Sequence, residues 1–183
     1  MRPKVKPPRP RLGKEKILEK CLASFVKSGT LDLSLDELAK SVRVSKRMLI
    51  HYFGGKEVIE RSAVVLLEDQ LRARFRADAF PPGTTLLQAI SALWEQTTHP
   101  EARGVLLLVM DLTRRAWGGS KQARNFYLQQ QRLWVELLLK FSDDEKLVKT
   151  VLQLFQGAVL AYLVTGDREL GLQALKRFVT GQE

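Results

Sequence analysis

The 183 residues carry 30 Lys and Arg against 20 Asp and Glu, a formal net charge of +10, with 45% hydrophobic residues, seven prolines and one cysteine. Such a chain has ample core for one or two globular domains and is neither disordered nor collagen-like. A lone cysteine excludes an internal disulfide framework, and no apolar run approaches the roughly 20 residues of a membrane-spanning helix. The basic start leads into prolines rather than an apolar stretch, unlike a secretory signal, so a cytoplasmic protein is expected.

Residues 1–11 form a proline-interrupted arm with Arg2, Lys4, Lys6, Arg9 and Arg11 and no acid. Such an arm lies along phosphates or in a minor groove, or is a solvated terminus. Ile17, Leu18, Cys21, Leu22, Phe25 and Val26 then recur at helical spacing up to Gly29, predicting a first helix whose thiol is a small core group. Ser34 with Glu37 three residues on is a capping-box signature for a second helix, with Leu35, Leu38, Ala39 and Val42 on one face. Val44 fills the turn, Ser45 caps a short third helix carrying Leu49, Ile50 and Phe53, and Gly54-Gly55 ends it because a helix end favours positive φ. Lys46 and Arg47 point outward from the start of that helix. The unit reads as a helix-turn-helix suited to a DNA major groove.

A fourth helix is predicted over 58–75, with Ile59, Ser62, Ala63, Leu66, Leu67, Gln70 and Leu71 inward, followed by the break Pro81-Pro82-Gly83. A fifth covers about 85–97, Pro100 starts a sixth that runs to Trp117, and a seventh covers about 120–141. Ser142 and Glu145 form a capping box for an eighth helix reaching about 164, and a ninth ends near 179. No strand signal or fixed-period repeat appears. The expected fold is all-α with about nine helices: a flexible basic arm over 1–13, a three-helix DNA-binding domain over 14–57, and a helical ligand-binding and dimerisation bundle over 58–183.

Charge follows the same division. Fourteen basic residues fall within 1–56 against five acidic ones, and the remainder is nearly balanced. Concentrating the positive excess in one third is what phosphate neutralisation requires.

In the C-terminal part, Trp94, Met110, Asp111, Trp117, Phe126, Tyr127, Trp134 and Phe155 are candidates to line a cavity for a lipophilic small molecule, and each also suits a helical core. Asp111, directly after the apolar run 105–110, needs a partner, which Arg114 or Arg115 supplies from the same helix. The eighth helix carries Val151, Phe155, Ala158 and Tyr162, and the ninth Leu172, Leu175 and Phe178. That apolar surface is assigned to a two-fold interface forming a four-helix bundle with a second copy. His51 and His99 lack the company to hold a metal. No paired carboxylates, activated nucleophile or glycine-rich loop points to an enzyme, and no cofactor is implied.

Ile17-Leu18, Phe25, Gly29, Ser34, Leu38-Ala39, Val44-Ser45, Leu49, Phe53 and Lys56-Glu57 stand in an order and spacing that resembles the TetR family of bacterial transcriptional regulators, over about residues 14–60. The resemblance implies a homodimer that binds a palindromic operator in double-stranded DNA, usually represses, and is released when a small molecule enters the C-terminal domain. It places Lys46 and Arg47 against bases or phosphates, His51 at a variable base-contacting position, and Tyr52 and Lys56 on phosphates. Ser34, Arg43 and Ser45 complete the candidate DNA surface. Arg43 stands where the family commonly has a turn glycine, Met48 where a small hydroxyl residue is frequent, and Ile50 where tyrosine is usual, so the operator sequence does not carry over. The ligand is expected to move the connecting helix through Pro81-Pro82-Gly83 and change the spacing of the recognition helices. The alternative from another class is a helical adaptor whose basic domain meets an acidic partner without sequence preference.

Overall fold

The computed structural model describes residues 13–74, 76, 78 and 80–181. The basic arm expected over 1–13, all but its last residue, lies outside these, as does the predicted fourth-helix end at Phe75. Among the described residues there are nine α-helices and no strand: α1 (Lys14–Ser28), α2 (Leu35–Val42), α3 (Lys46–Phe53), α4 (Lys56–Arg74), α5 (Leu86–Thr97), α6 (Arg103–Trp117), α7 (Lys121–Leu138), α8 (Glu145–Thr165) and α9 (Arg168–Thr180).

Local chemistry sets these boundaries. The box at α2 is complete, the Glu37 amide donating to Ser34 Oγ at 3.2 Å and the Ser34 amide to Glu37 Oε2 at 2.7 Å. Thr85 and Gln88 form a second reciprocal box at α5. Pro100 opens a short 3-10 turn, Pro100–Ala102, before α6 rather than the helix itself. The box expected from Ser142 and Glu145 is not formed. Asp144 caps α8 instead, accepting from the Leu147 amide at 2.9 Å, and Ser142 accepts from the Asp144 amide. A carboxylate one turn from three free amides is the stronger acceptor there. α7 stops at Leu138, short of 141, because the Lys140 and Phe141 amides turn back to the Leu137 and Leu138 carbonyls.

Two apolar clusters hold the helices together. The first gathers Ile17, Phe25, Leu38, Leu49 and Ile59 from α1 to α4 and continues into Leu108 and Leu112 of α6 and Phe126 of α7. Cys21 is fully buried within it, and burial pushes its thiol up to about 11. On α4 the buried set is Ile59, Ala63, Val64 and Leu67, while Gln70, expected inward, is exposed. The second cluster surrounds Trp94 with residues of α5, α7, α8 and α9. Glycines permit two close approaches: a Cβ on Gly104 would strike the Val26 carbonyl where α6 crosses α1, and one on Gly171 would strike the Trp94 ring. α6 therefore sits directly against the first helix of the helix-turn-helix unit.

α8 is long and apolar enough by composition to cross a membrane, yet only 33% of its most apolar window is buried within this chain. Its core face, Val148, Val151, Leu152 and Val159, belongs to the second cluster.

Candidate nucleic-acid interface and cavity

α3 divides cleanly by exposure. Leu49 and Phe53 are buried in the first cluster, and Lys46, Arg47, Ile50 and His51 face outward. Ile50, read from periodicity as a core residue, is 44% exposed, which puts an apolar group among the polar ones of the outer face. An apolar side chain there suits a thymine methyl. Ser45 caps α3 through the Met48 amide at 3.1 Å, and His51 and Tyr52 meet edge to face at 5.4 Å between ring centroids. Tyr52 is half-buried against the first cluster.

The turn before α3 is strained at one place. Arg43 closes α2 with φ 60 and ψ 41, and it is the only non-glycine with positive φ among the described residues. Its amide reaches the Lys40 carbonyl and the Val44 amide reaches the Ala39 carbonyl, so hydrogen bonds hold a conformation that costs an L-residue about 1–2 kcal/mol. Its side chain is exposed beside the reading helix.

Two of the expected DNA-contacting lysines already have acidic neighbours. Lys46 Nζ lies 2.9 Å from Asp36 Oδ2, with both side chains largely in solvent, so breaking that pair costs little. Lys56, the first residue of α4, lies 3.2 Å from Glu60. Glu60 in turn lies 3.9 Å from Arg115 Nη1, and there a charged network begins.

Asp111 is its centre, with only 8% of its side chain exposed. Its Oδ2 accepts from Thr30 Oγ1 at 3.1 Å, the Leu31 amide at 3.1 Å and Arg115 Nε at 2.9 Å, and its Oδ1 accepts from Arg114 Nη2 at 2.7 Å. Asp32 takes a further 2.6 Å contact from Arg115. Burial raises the Asp111 pKa, but the Arg114 hydrogen bond, the Leu31 amide and the Arg115 hydrogen bond and charge outweigh it and hold the carboxyl below its usual range. Asp111 was expected to need Arg114 or Arg115 and takes both. It does not line the cavity as expected, because it faces the α1–α2 loop and fastens α6 to the helix-turn-helix unit.

The cavity lies among α4 to α8 and measures about 530 Å³, within the range of small-molecule sites. Met110, Trp117, Phe126, Tyr127, Trp134 and Phe155 line it. Trp94 does not. It is fully buried, donates from Nε1 to the Arg168 carbonyl at 3.2 Å and packs on Phe155 and Tyr162. Arg114 and Gln130 also line the cavity and were not foreseen as lining. The pattern for Gln130 was present in the sequence, since Phe126, Gln130 and Trp134 are spaced by four and share a face.

The interface stripe expected on α8 and α9 is turned inward. Val151 and Leu175 are fully buried in this chain's own core, Ala158 is buried, and Phe155, Tyr162 and Leu172 pack on the same cluster. Of the seven residues only Phe178 is exposed, at 42%. The uncovered apolar residues are Leu160 and Val164 on the opposite face of α8 and Leu170 on α9.

The family model for bacterial regulatory proteins of the tetR family matches residues 17–60, which is α1 to the start of α4. Residues 17–60 thus carry the DNA-binding unit typical of the TetR family. It is 27% identical over 154 residues to the Staphylococcus aureus biofilm operon icaADBC HTH-type negative transcriptional regulator IcaR, covering 82% of this chain and 80% of that one. The crystal structure of a TetR-family transcriptional regulator from Cytophaga hutchinsonii superposes with a TM-score of 0.72 at 17% identity, covering 93% of this chain and 97% of that one. The multidrug binding protein EbrR, solved with imidazole, gives 0.67 at 17% identity, covering 92% and 95%. The TetR match ends where the cavity-forming helices begin, while the likeness of fold spans nearly the whole chain.

Proposed function

We propose that this TetR-family regulator is a repressor that binds a palindromic operator as a homodimer through Ser34, Arg43, Ser45, Lys46, Arg47, His51, Tyr52 and Lys56, and leaves it when a small apolar molecule enters the cavity. The functional division falls near residue 57, with the cationic unit before it and the sensing bundle after it, working in the cytoplasm beside the DNA. The observation that carries this reading is α3: its anchoring residues are buried and its cationic end and outer face are exposed. IcaR, described as a negative regulator, and EbrR, described as multidrug binding, support repression and ligand response.

The charged network supports a route for the response. Arg114 is both cavity wall and a partner of Asp111 and Asp32. Asp111 holds the α1–α2 loop, and Arg115 leads through Glu60 to Lys56. A ligand that moves α6 thus acts on the phosphate-binding end of α4 without relying on the 81–83 break, provided it has different affinities for the two arrangements.

The test is a gel shift against the DNA upstream of its own coding region with unrelated competitor. Preferential retention is expected, and equal retention of random duplex ends this reading in favour of the adaptor. Replacing Lys56 by alanine should weaken binding to every sequence and reduce the salt slope by about one, whereas replacing His51 should change sequence preference.

A further inference from the structure

The cavity's polar groups carry more information about its ligand than its apolar walls do. Among the described residues, the only ionised side chains lining it are Arg74 and Arg114, and none is Asp or Glu. Arg114 is already compensated by Asp111 and Asp32 from behind the wall. The remaining polar lining is five glutamines and two threonines. Among the glutamines, Gln130 has a buried Nε2 with no hydrogen-bond partner. A buried donor without an acceptor is destabilising and is rare in folded proteins. At the wall of a cavity it is the mark of a group that a ligand satisfies.

Five aromatic rings, those of Trp117, Phe126, Tyr127, Trp134 and Phe155, also line this space. Rings alone would welcome a flat apolar body and would also attract a cation. A cation here would meet no carboxylate among the described lining residues, and a buried charge without a counter-charge is costly. An oxygen acceptor meets the opposite situation: a buried donor at Gln130 that lacks a partner.

Resting on the reading of this cavity as the effector site, we infer that the effector is a flat aromatic molecule bearing an oxygen acceptor, either a carboxylate or an uncharged carbonyl, and that Gln130 donates to that oxygen. The described lining offers a cationic aromatic compound no counter-charge. The inference concerns ligand chemistry only, so it stands or falls separately from DNA binding.

The experiment uses the full chain and three probes with one ring system: 9-anthracenecarboxylate, 9-anthracenecarboxamide and 9-(aminomethyl)anthracene as its ammonium form. Binding is read by calorimetry and by quenching of tryptophan emission, with Trp117 and Trp134 as the wall reporters. The carboxylate and the carboxamide should each bind at least tenfold more tightly than the ammonium compound. The near-isosteric Gln130→Met variant should lose about tenfold in affinity for the two acceptor-bearing probes, leave the ammonium probe unmoved, and melt at the same temperature or higher because an unpaired buried amide is gone. Tighter or equal binding of the ammonium probe overturns the inference, as does an unchanged carboxamide affinity in Gln130→Met or failure of all three probes to bind. Operator retention by the wild-type chain is measured on the same preparation, so that these outcomes with operator binding intact overturn the ligand class alone.

Discussion

At Arg43 a single side chain serves two opposed ends. The left-handed backbone at φ 60 favours glycine, while the arginine supplies an exposed cation beside α3. Relief of the steric cost, offset by the extra chain entropy that glycine loses on folding, leaves a gain of about 0.5–1 kcal/mol for Arg43→Gly. For a domain of this size that raises the melting temperature by about 1–4 °C. The same variant removes an exposed cation from the proposed DNA surface, so operator affinity should fall while stability rises. Thermal melts and gel shifts on one preparation separate the two, and a variant that melts lower shows that Arg43 makes stabilising contacts beyond its backbone. Cys21 is the contrasting case, where core position and a thiol pushed up to about 11 leave nothing for chemistry to use.

At the level of helices, the contact between α6 and the α1–α2 loop joins the cavity wall to the proposed DNA-binding unit. Asp111 binds its donors as a carboxylate, and its pKa is held below the usual 3.8. A folded value below the unfolded one means the stabilisation is fully present above pH 4 or so and is lost as pH falls through the folded value. Replacing Asp111 by asparagine should therefore cost about 2 kcal/mol in urea melts at pH 7 and much less at pH 3, and a cost equal at both pH values would contradict the role assigned to the charge. Sequence reasoning reached this pair but not its purpose, because spacing within α6 reveals Arg114 and Arg115 as neighbours of Asp111, whereas Thr30 and Leu31 come from 80 residues away. The helix-turn-helix unit was legible because its signals are local: Ser34 with Glu37, Ser45, and Gly54 each act within one turn. Capping at α8 was misjudged for the same reason, as Ser142 and Asp144 both fit the pattern and only the backbone path chooses between them. For α8 and α9, periodicity showed that apolar residues exceed one face but not which face the chain itself would bury.

That question decides the assembly of the whole molecule. With Val151, Ala158 and Leu175 consumed by the monomer's core, the surface left for a second copy is Leu160 and Val164 on α8 with Leu170 and Phe178 on α9. Gly157 and Leu160 also line the cavity, so a partner seated on this stripe lies beside the cavity. A dimer is required if two α3 helices are to enter successive major grooves about 34 Å apart. Val164 is 80% exposed, so Val164→Arg leaves the monomer's packing intact while placing two like charges close together across a two-fold axis. Sedimentation should show the wild-type chain as a dimer and Val164→Arg as a monomer at micromolar concentration, with an unchanged helical spectrum and operator affinity reduced by at least tenfold. If the variant sediments as the wild type does, the uncovered face of α8 is not where the copies meet, and the apolar surface there must be covered by something other than a second copy.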